Sequence, residues 1–390
     1  MHLSVIVLLI SLCTASIAAA APQVRDRPAG PAAIPASDAA TLAAGWTAVA
    51  AGRHDEAVSN ALAILQRRPW DRAALGLKIT ALSAAAPVRG LDEYERWINA
   101  KHMDDAGLLE PVTIATLQEI AGMPDPSMQR LALSALIESR VVGAREKLTE
   151  LNAGPDNAVE RDAEAARNGD VNAAGRLNAA AATPDGGGSE FLATALAELG
   201  SSGEPGLMML SRSRSPQVRV AVAKAFGAQK SEQARTSLRQ LEKDPDPLVR
   251  LWATVSLARH GDDQALNQVE KMLSSPAPDV QLAAAQAWEG RSGPWVAVVR
   301  PLLENPDGLI RLQAARVIAP VDPESARRVL GAALGDANPV VRYESAQTLE
   351  SVGDSQPSIL DLPTLRQRLR DRDAHVRLTV ARALLKLARS

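Results

Sequence analysis

Ser215-Pro216-Gln217-Val218-Arg219, Asp246-Pro247-Leu248-Val249-Arg250, Ala277-Pro278-Asp279-Val280-Gln281, Asp307-Gly308-Leu309-Ile310-Arg311, Asn338-Pro339-Val340-Val341-Arg342 and Asp373-Ala374-His375-Val376-Arg377 are six copies of one pattern. Their starts lie 31, 31, 30, 31 and 35 residues apart. A period in this range marks a stacked repeat architecture. Ser, Asp and Asn suit a helix N-cap, where the side chain accepts a bond from an orphan N–H. Pro suits the first helical position, where its missing N–H costs nothing. Each copy is therefore read as a helix start.

The residues that follow fix the face of that helix. One apolar slot holds Val218, Val249, Val280, Ile310, Val341 and Val376. Four residues on, the slot holds Val222, Ala253, Ala284, Ala314, Ser345 and Val380. Four further on come Phe226, Leu257, Trp288, Ile318, Leu349 and Leu384. Steps of four make one stripe on a helix, and small residues in its middle let a neighbouring helix approach closely. A second apolar stretch follows, as in Ala234 to Leu241, Ala265 to Leu273, Val296 to Leu303 and Ala326 to Leu334. Each repeat thus reads as two antiparallel helices that cannot bury their faces without a neighbour. The expected fold is all-α, an α-solenoid of stacked helix pairs. Few aromatics and no long strand-like runs agree with it.

The pattern resembles the HEAT repeat, in the short form called PBS-lyase HEAT-like. The resemblance implies that Arg219, Arg250, Arg311, Arg342 and Arg377 form a structural ladder joining neighbouring repeats, with Asp246, Asp307 and Asp373 as partners. Binding of an anionic ligand is the other role open to this row. Gln281 and Ala277 break the ladder at the third copy, so that joint is expected to be weaker. Deoxyhypusine hydroxylase shares the repeat and holds two irons on repeated His-Glu pairs. Here His54 precedes Asp55, His260 precedes Gly261 and His375 precedes Val376, so the resemblance brings no metal site. Phycobilin lyases and HEAT-like DNA glycosylases share the repeat too, but no chromophore-handling motif is present and the charge does not suit DNA.

Before the strong copies, the same register starts at Asp125-Pro126-Ser127-Met128-Gln129, with Ala132 and Leu136 in its slots. It recurs weakly at Asp156-Asn157-Ala158-Val159-Glu160, where Arg167 takes the large apolar slot. A third unit is read with Phe191, Ala195 and Leu199 in the slots. The solenoid is expected over 123–390, degenerate at 155–205, with Thr183-Pro184-Asp185-Gly186-Gly187-Gly188 as a loop or hinge. The three glycines lack the Gly-Lys-Ser/Thr of a phosphate loop. Residues 38–122 read as a helical region resembling a TPR unit, on Gly45, Ala57, Ala61 and Pro69. Trp46, Trp70 and Trp97 either pack in its core or line a peptide groove.

Residues 1–20 read as a signal peptide, with Val5 to Leu12 as the apolar core and Ala18-Ala19-Ala20 for cleavage. Residues 21–37 form an Ala/Pro-rich linker. The apolar run is short for a membrane span, so no stable insertion is expected after cleavage; an uncleaved anchor is the alternative. The expected location is periplasmic or secreted. The single cysteine, Cys13, lies in that segment, so cleavage removes thiolate chemistry and disulfides.

Charge is divided: residues 38–210 carry 15 Lys+Arg against 24 Asp+Glu, and residues 211–390 carry 26 against 20. The whole is near neutral, at −2, and does not suit nucleic acid. The basic half suits an acidic partner or a head-to-tail pairing of two copies; plain surface solvation is the other reading. Second helices are expected on the concave face, which makes Arg235, Arg239, Lys243, Lys271, Arg300, Arg327 and Arg328 candidate partner-binding residues, with Arg366, Arg368 and Arg370 beside them. No histidines pair at helical metal spacing, and no Gly-x-Ser-x-Gly elbow occurs. No cofactor is expected. The sequence therefore reads as a non-catalytic exported scaffold for a protein or peptide. An envelope enzyme or accessory subunit, of hydrolase or lyase type, is the alternative.

Overall fold

The computed structural model describes residues 36–101, 104–153, 157–167, 169–183, 189–288, 293–353 and 357–389. The expected signal segment, most of the linker, His102 and the glycine run at 186–188 lie outside them. Every regular element among the described residues is helical. At the N-terminus come α1 (Ala36–Ala50), α2 (His54–Leu65), α3 (Arg72–Ala85), α4 (Pro87–Lys101) and α5 (Ala106–Ile120). Helix pairs follow: α6 (Pro126–Glu138) with α7 (Ala144–Leu151), α8 (Ala158–Arg167) with α9 (Val171–Ala181), and α10 (Glu190–Glu198) with α11 (Glu204–Leu210). The next are α12 (Pro216–Ala228) with α13 (Glu232–Leu241), α14 (Pro247–Arg259) with α15 (Asp263–Met272), and α16 (Pro278–Gln286) with α17 (Trp295–Val299), which runs on into a 3-10 turn at Arg300–Glu304. Last come α18 (Gly308–Ile318) with α19 (Pro323–Ala333), α20 (Pro339–Gly353) with α21 (Leu362–Arg368), and α22 (Ala374–Arg389).

The helix starts follow the capping chemistry. Asp246 Oδ1 accepts from Leu248 N–H at 2.8 Å and Val249 N–H at 3.2 Å. Asp125, Asp307 and Asp373 cap their own helices in the same way. Ala277 has no side chain to cap with. Its helix α16 is only 9 residues long and packs on α14 and α18 less extensively than α12 packs on α14.

From α10 to α22, first helices of successive repeats stack directly on one another, whereas second helices meet far less; only in the weak middle do the second helices α9 and α11 meet more than the first helices α8 and α10. A curved stack brings its elements closest together on the concave side. The first helices therefore line the inside, and the expectation that second helices do so is corrected. The physical reason is the small middle slot: Ala253, Ala284 and Ala314 are fully buried and let α14, α16 and α18 approach. At Gly227 of α12 an added Cβ would lie 2.7 Å from Ser256 Oγ of α14, and that hydroxyl donates to Ala223 O at 2.8 Å.

In the weak middle, the unit read on Phe191, Ala195 and Leu199 is displaced by one residue. Ser189 is the cap, with its Oγ accepting from Leu192 N–H at 3.1 Å. Leu192 and Leu196 are the buried pair, and Phe191 is 43% exposed.

The stack closes on itself. Helix α22 has no second helix of its own in the described chain; it packs along α5 and touches α6, so the two ends of the chain make one composite helix pair. One apolar core runs without a break from Ile79 to Leu385 and includes Leu108, Leu117, Leu378 and Leu384. Helices α4 and α5 belong to this core, so the apolar boundary falls inside the N-terminal helical region rather than at residue 122. Leu42, Ala57, Ile64 and Leu77 of α1, α2 and α3 form a separate small core.

His260 carries a pH dependence. Its Nε2 lies 2.9 Å from Phe226 O, which only accepts, so Nε2 carries the proton and donates. Burial depresses the imidazole pKa against the raising effect of that bond, and the charges of Arg235, Arg259 and Lys230 lower it further. The folded chain thus holds this group neutral where an unfolded chain, with a histidine pKa of about 6.5, would protonate it. Its stabilisation is complete above that pH and is lost as the pH falls toward the lower folded value. Melting temperature is expected to drop on acidification below about pH 6.5, and less so in His260→Gln. Equal acid limbs in both proteins would remove His260 as the cause.

Candidate functional site: the inner face and the seam

The arginine ladder comes first because it spaces the repeats. Each ladder arginine donates from Nη1 to two carbonyls of the turn before its own helix: Arg250 to Asp244 O and Pro245 O, Arg311 to Asn305 O and Pro306 O. Two of them also grip the next repeat. Arg219 binds Asp244 through Nε at 2.7 Å and Nη2 at 2.8 Å, and Arg342 binds Asp371 at 2.9 and 3.0 Å. The partners expected from the sequence, Asp246, Asp307 and Asp373, are engaged as caps. The gripping carboxylate stands two residues earlier, where it also accepts from the cap residue's N–H. Ser213, Ser275, Asn305 and Asp336 accept the same bond in the other copies. A polar residue two before each cap was thus a repeated signal that the sequence reading passed over.

Burial, the largest single influence, opposes ionisation of Asp244 and Asp371, but the arginine bond, the cap residue's N–H and the nearby positive charges together outweigh it and hold both carboxyls below their ordinary range. Arg219→Ala leaves Asp244 buried without its partner. That is expected to cost about 1–3 kcal/mol. Arg250→Ala, at an exposed side chain, is expected to cost about 0.5 kcal/mol or less. Denaturant melts of the two variants check this, and equal midpoints would contradict it.

The candidate contact residues fall into two groups. Arg239, Arg300 and Arg327 are engaged in a second ladder on the outer helices. Each reaches the cap aspartate of the next second helix: Arg239 to Asp262, Arg300 to Asp322 at 3.0 Å, and Arg327 to Asp361 at 3.9 Å. Arg235, Lys243, Lys271 and Arg328 are exposed, and none forms an ion pair among the described residues. All seven stand on the splayed outer side.

The seam uses the remaining basic residues. Arg366 pairs with Asp104 and lies over the Tyr94 ring at 6.0 Å. Arg370 pairs with Asp92 and, at 2.7 Å, with Glu95. Arg377, the last ladder arginine, reaches Glu119 of α5 at 3.3 Å. The acidic first half and the basic second half therefore meet within one chain. Tyr94 Oη accepts from Asp105 N–H at 2.8 Å, and burial followed by the Asp104 charge pushes its phenol pKa up. Trp97 packs against the main core, 5.8 Å from Tyr94. Trp46 and Trp70 are 42% and 47% exposed, so neither is a core residue.

The inner face is lined by first helices. Exposed apolar side chains recur there two residues after the cap, at Phe191, Leu248, Leu309 and Val340. A cleft of about 560 Å³ opens between α10, α12 and α14. Its walls are Val220, Ala221, Ala225 and Leu248, with Glu190, Gln217 and Lys224 as polar edges. Lys224 Nζ sits 4.1 Å from the Trp252 ring centre. Among the described residues no group of three or more His, Cys, Asp or Glu is placed to hold a metal.

A profile of HEAT repeats matches residues 204–289 and 296–386. These two segments are HEAT repeats. No curated protein sequence matches the chain. Among solved structures, human deoxyhypusine hydroxylase in complex with glycerol is 18% identical, with 56% of this chain and 96% of that chain covered and a TM-score of 0.32. An engineered protein is also 18% identical, with 91% and 94% covered and a TM-score of 0.26. The HEAT ladder is what positions the inner face: each arginine fixes the turn from which its own first helix starts, and Arg219 and Arg342 also hold the turn before the next one. No described helix is long and apolar enough to cross a membrane.

Proposed function

We propose that the protein is a non-catalytic scaffold whose inner face holds a segment of a partner protein. The observation that carries this is the row of exposed apolar side chains, Phe191, Leu248, Leu309 and Val340, repeated on the first helices beside an open apolar cleft. Such contacts are individually shallow and add up over several repeats, which is how a solenoid surface binds. Both ladders make the frame stiff, so little ordering is needed on binding. We place the protein outside the cytoplasmic membrane, on the strength of residues 1–20, and read α1 to α3 as a TPR-like appendage because Gly45 of α1 leaves room for Leu77 of α3.

A photo-crosslinking amino acid at Leu309 tests this, with the protein expressed in its own source. Partner adducts at Leu309, with none at the outer-face control Lys271, are the expected result. Adducts at Lys271 with none at Leu309 would reject the inner face. Fractionation and N-terminal sequencing test export: a mature chain beginning near Ala21 is expected, and a cytoplasmic chain beginning at Met1 would refute it.

A further inference from the structure

Among the described residues, two cations on the inner face form no ion pair. They are Lys224 of α12 and Arg316 of α18, and the Arg316 charge acts on Lys224. The ladder arginines, with Arg239, Arg300, Arg327, Arg366 and Arg370, are by contrast each bonded to a carboxylate or a carbonyl. Walls of protein around Lys224 lower its pKa by desolvation, Arg316 lowers it further, and Glu190 acts in the opposite direction without forming a bond. The indole of Trp252 supplies the one favourable contact to the ammonium. Beside the lysine lies the apolar cleft of about 560 Å³, which spans three consecutive first helices. That volume is within the range of about 300–1,000 Å³ common to ligand sites.

We propose that this cleft takes an acidic–apolar peptide segment, with a carboxylate seated at Lys224 and Arg316 and a neighbouring apolar side chain against Val220, Ala221 and Leu248. The proposal rests on the scaffold reading and names the partner's chemistry. A carboxylate arriving here meets two cations, and charge-assisted bonds are shorter and stronger than neutral ones. The apolar wall discriminates against a fully hydrated anion such as free phosphate, which buries nothing there. Asp246, which also lines the cleft, is committed to capping α14 and does not neutralise the pair.

A random peptide phage library selected on the full chain, followed by fluorescence anisotropy with the enriched peptides, provides the test. Enriched peptides are expected to carry Asp or Glu beside large apolar residues. Lys224→Met with Arg316→Gln, which keeps side-chain volume, is expected to weaken them on the order of tenfold or more, with the melting temperature held. Replacing the peptide's acidic residue by its amide should do the same to the native protein and nothing further to the variant. Enriched peptides that are neutral or basic, or that bind the variant equally well, would overturn this site and leave the scaffold reading standing. A library that yields no binders at all would overturn both.

Discussion

A chain ended at Asp373 is expected to lose hydrogen-exchange protection in α5, more than 250 residues away in sequence. Such a chain lacks α22, whose Val376, Leu378, Val380, Ala381, Leu384 and Leu385 are buried. Full burial of a large aliphatic side chain contributes roughly 1.5–3 kcal/mol, so the loss is comparable with the whole stability of an ordinary domain, roughly 5–15 kcal/mol. In an open stack, removing a terminal helix uncovers only the adjoining repeat, here α20 with α21. In the closed stack it uncovers α20 with α21 at one end and α5 with α6 at the other. Fast exchange over residues 106–120 together with 339–353 is therefore expected. Fast exchange confined to α20 and α21 would mean that the ends do not meet.

The two phenylalanines supply a second large contrast. Phe226 is 0% exposed and Phe191 is 43% exposed, and they are the only two in the chain. Phe226→Ala empties a site among first helices and is expected to cost about 3–5 kcal/mol. Phe191→Ala is expected to move stability by no more than about 0.5 kcal/mol, with its effect appearing in partner binding. Equal melting temperatures for the two variants would show that the one-residue register separating them is wrong.

That register shows what local sequence can and cannot specify. Where Asp-Pro or Asn-Pro opens the helix, as at Asp246 and Asn338, capping and a fixed φ act together and the start is unambiguous. At Ser189-Glu190 there is no proline, and a large aromatic at the second helical position drew the apolar slot one residue early. The direction of curvature was also legible in residues already noted. Alanines in the middle slot of the first helices permit the closest approach, and closest approach belongs on the concave side. The outer arginines looked like a free basic face because their partners, Asp262, Asp322 and Asp361, are caps of helices some 22 to 34 residues later.

Closure of the ring had no local signature. It joins Arg366 to Asp104 and Arg377 to Glu119 through chain separations of 262 and 258 residues. Only the division of charge between the two halves hinted at it. Division of charge fits a partner, a second copy or the chain's own other end equally well, and the packing of α22 on α5 is what selects the last of these.

The closed ring is the central claim, and a distance across the seam tests it most directly. Gln118 on α5 and Arg372 before α22 are both exposed. Nitroxide labels at Gln118→Cys and Arg372→Cys, in a chain with Cys13→Ser, report the separation by pulsed electron resonance. Packed helices have axes about 8–10 Å apart, so a single short, narrow distance distribution is expected, unchanged on dilution. A long or broad distribution, as from the two ends of an open solenoid, would contradict the account.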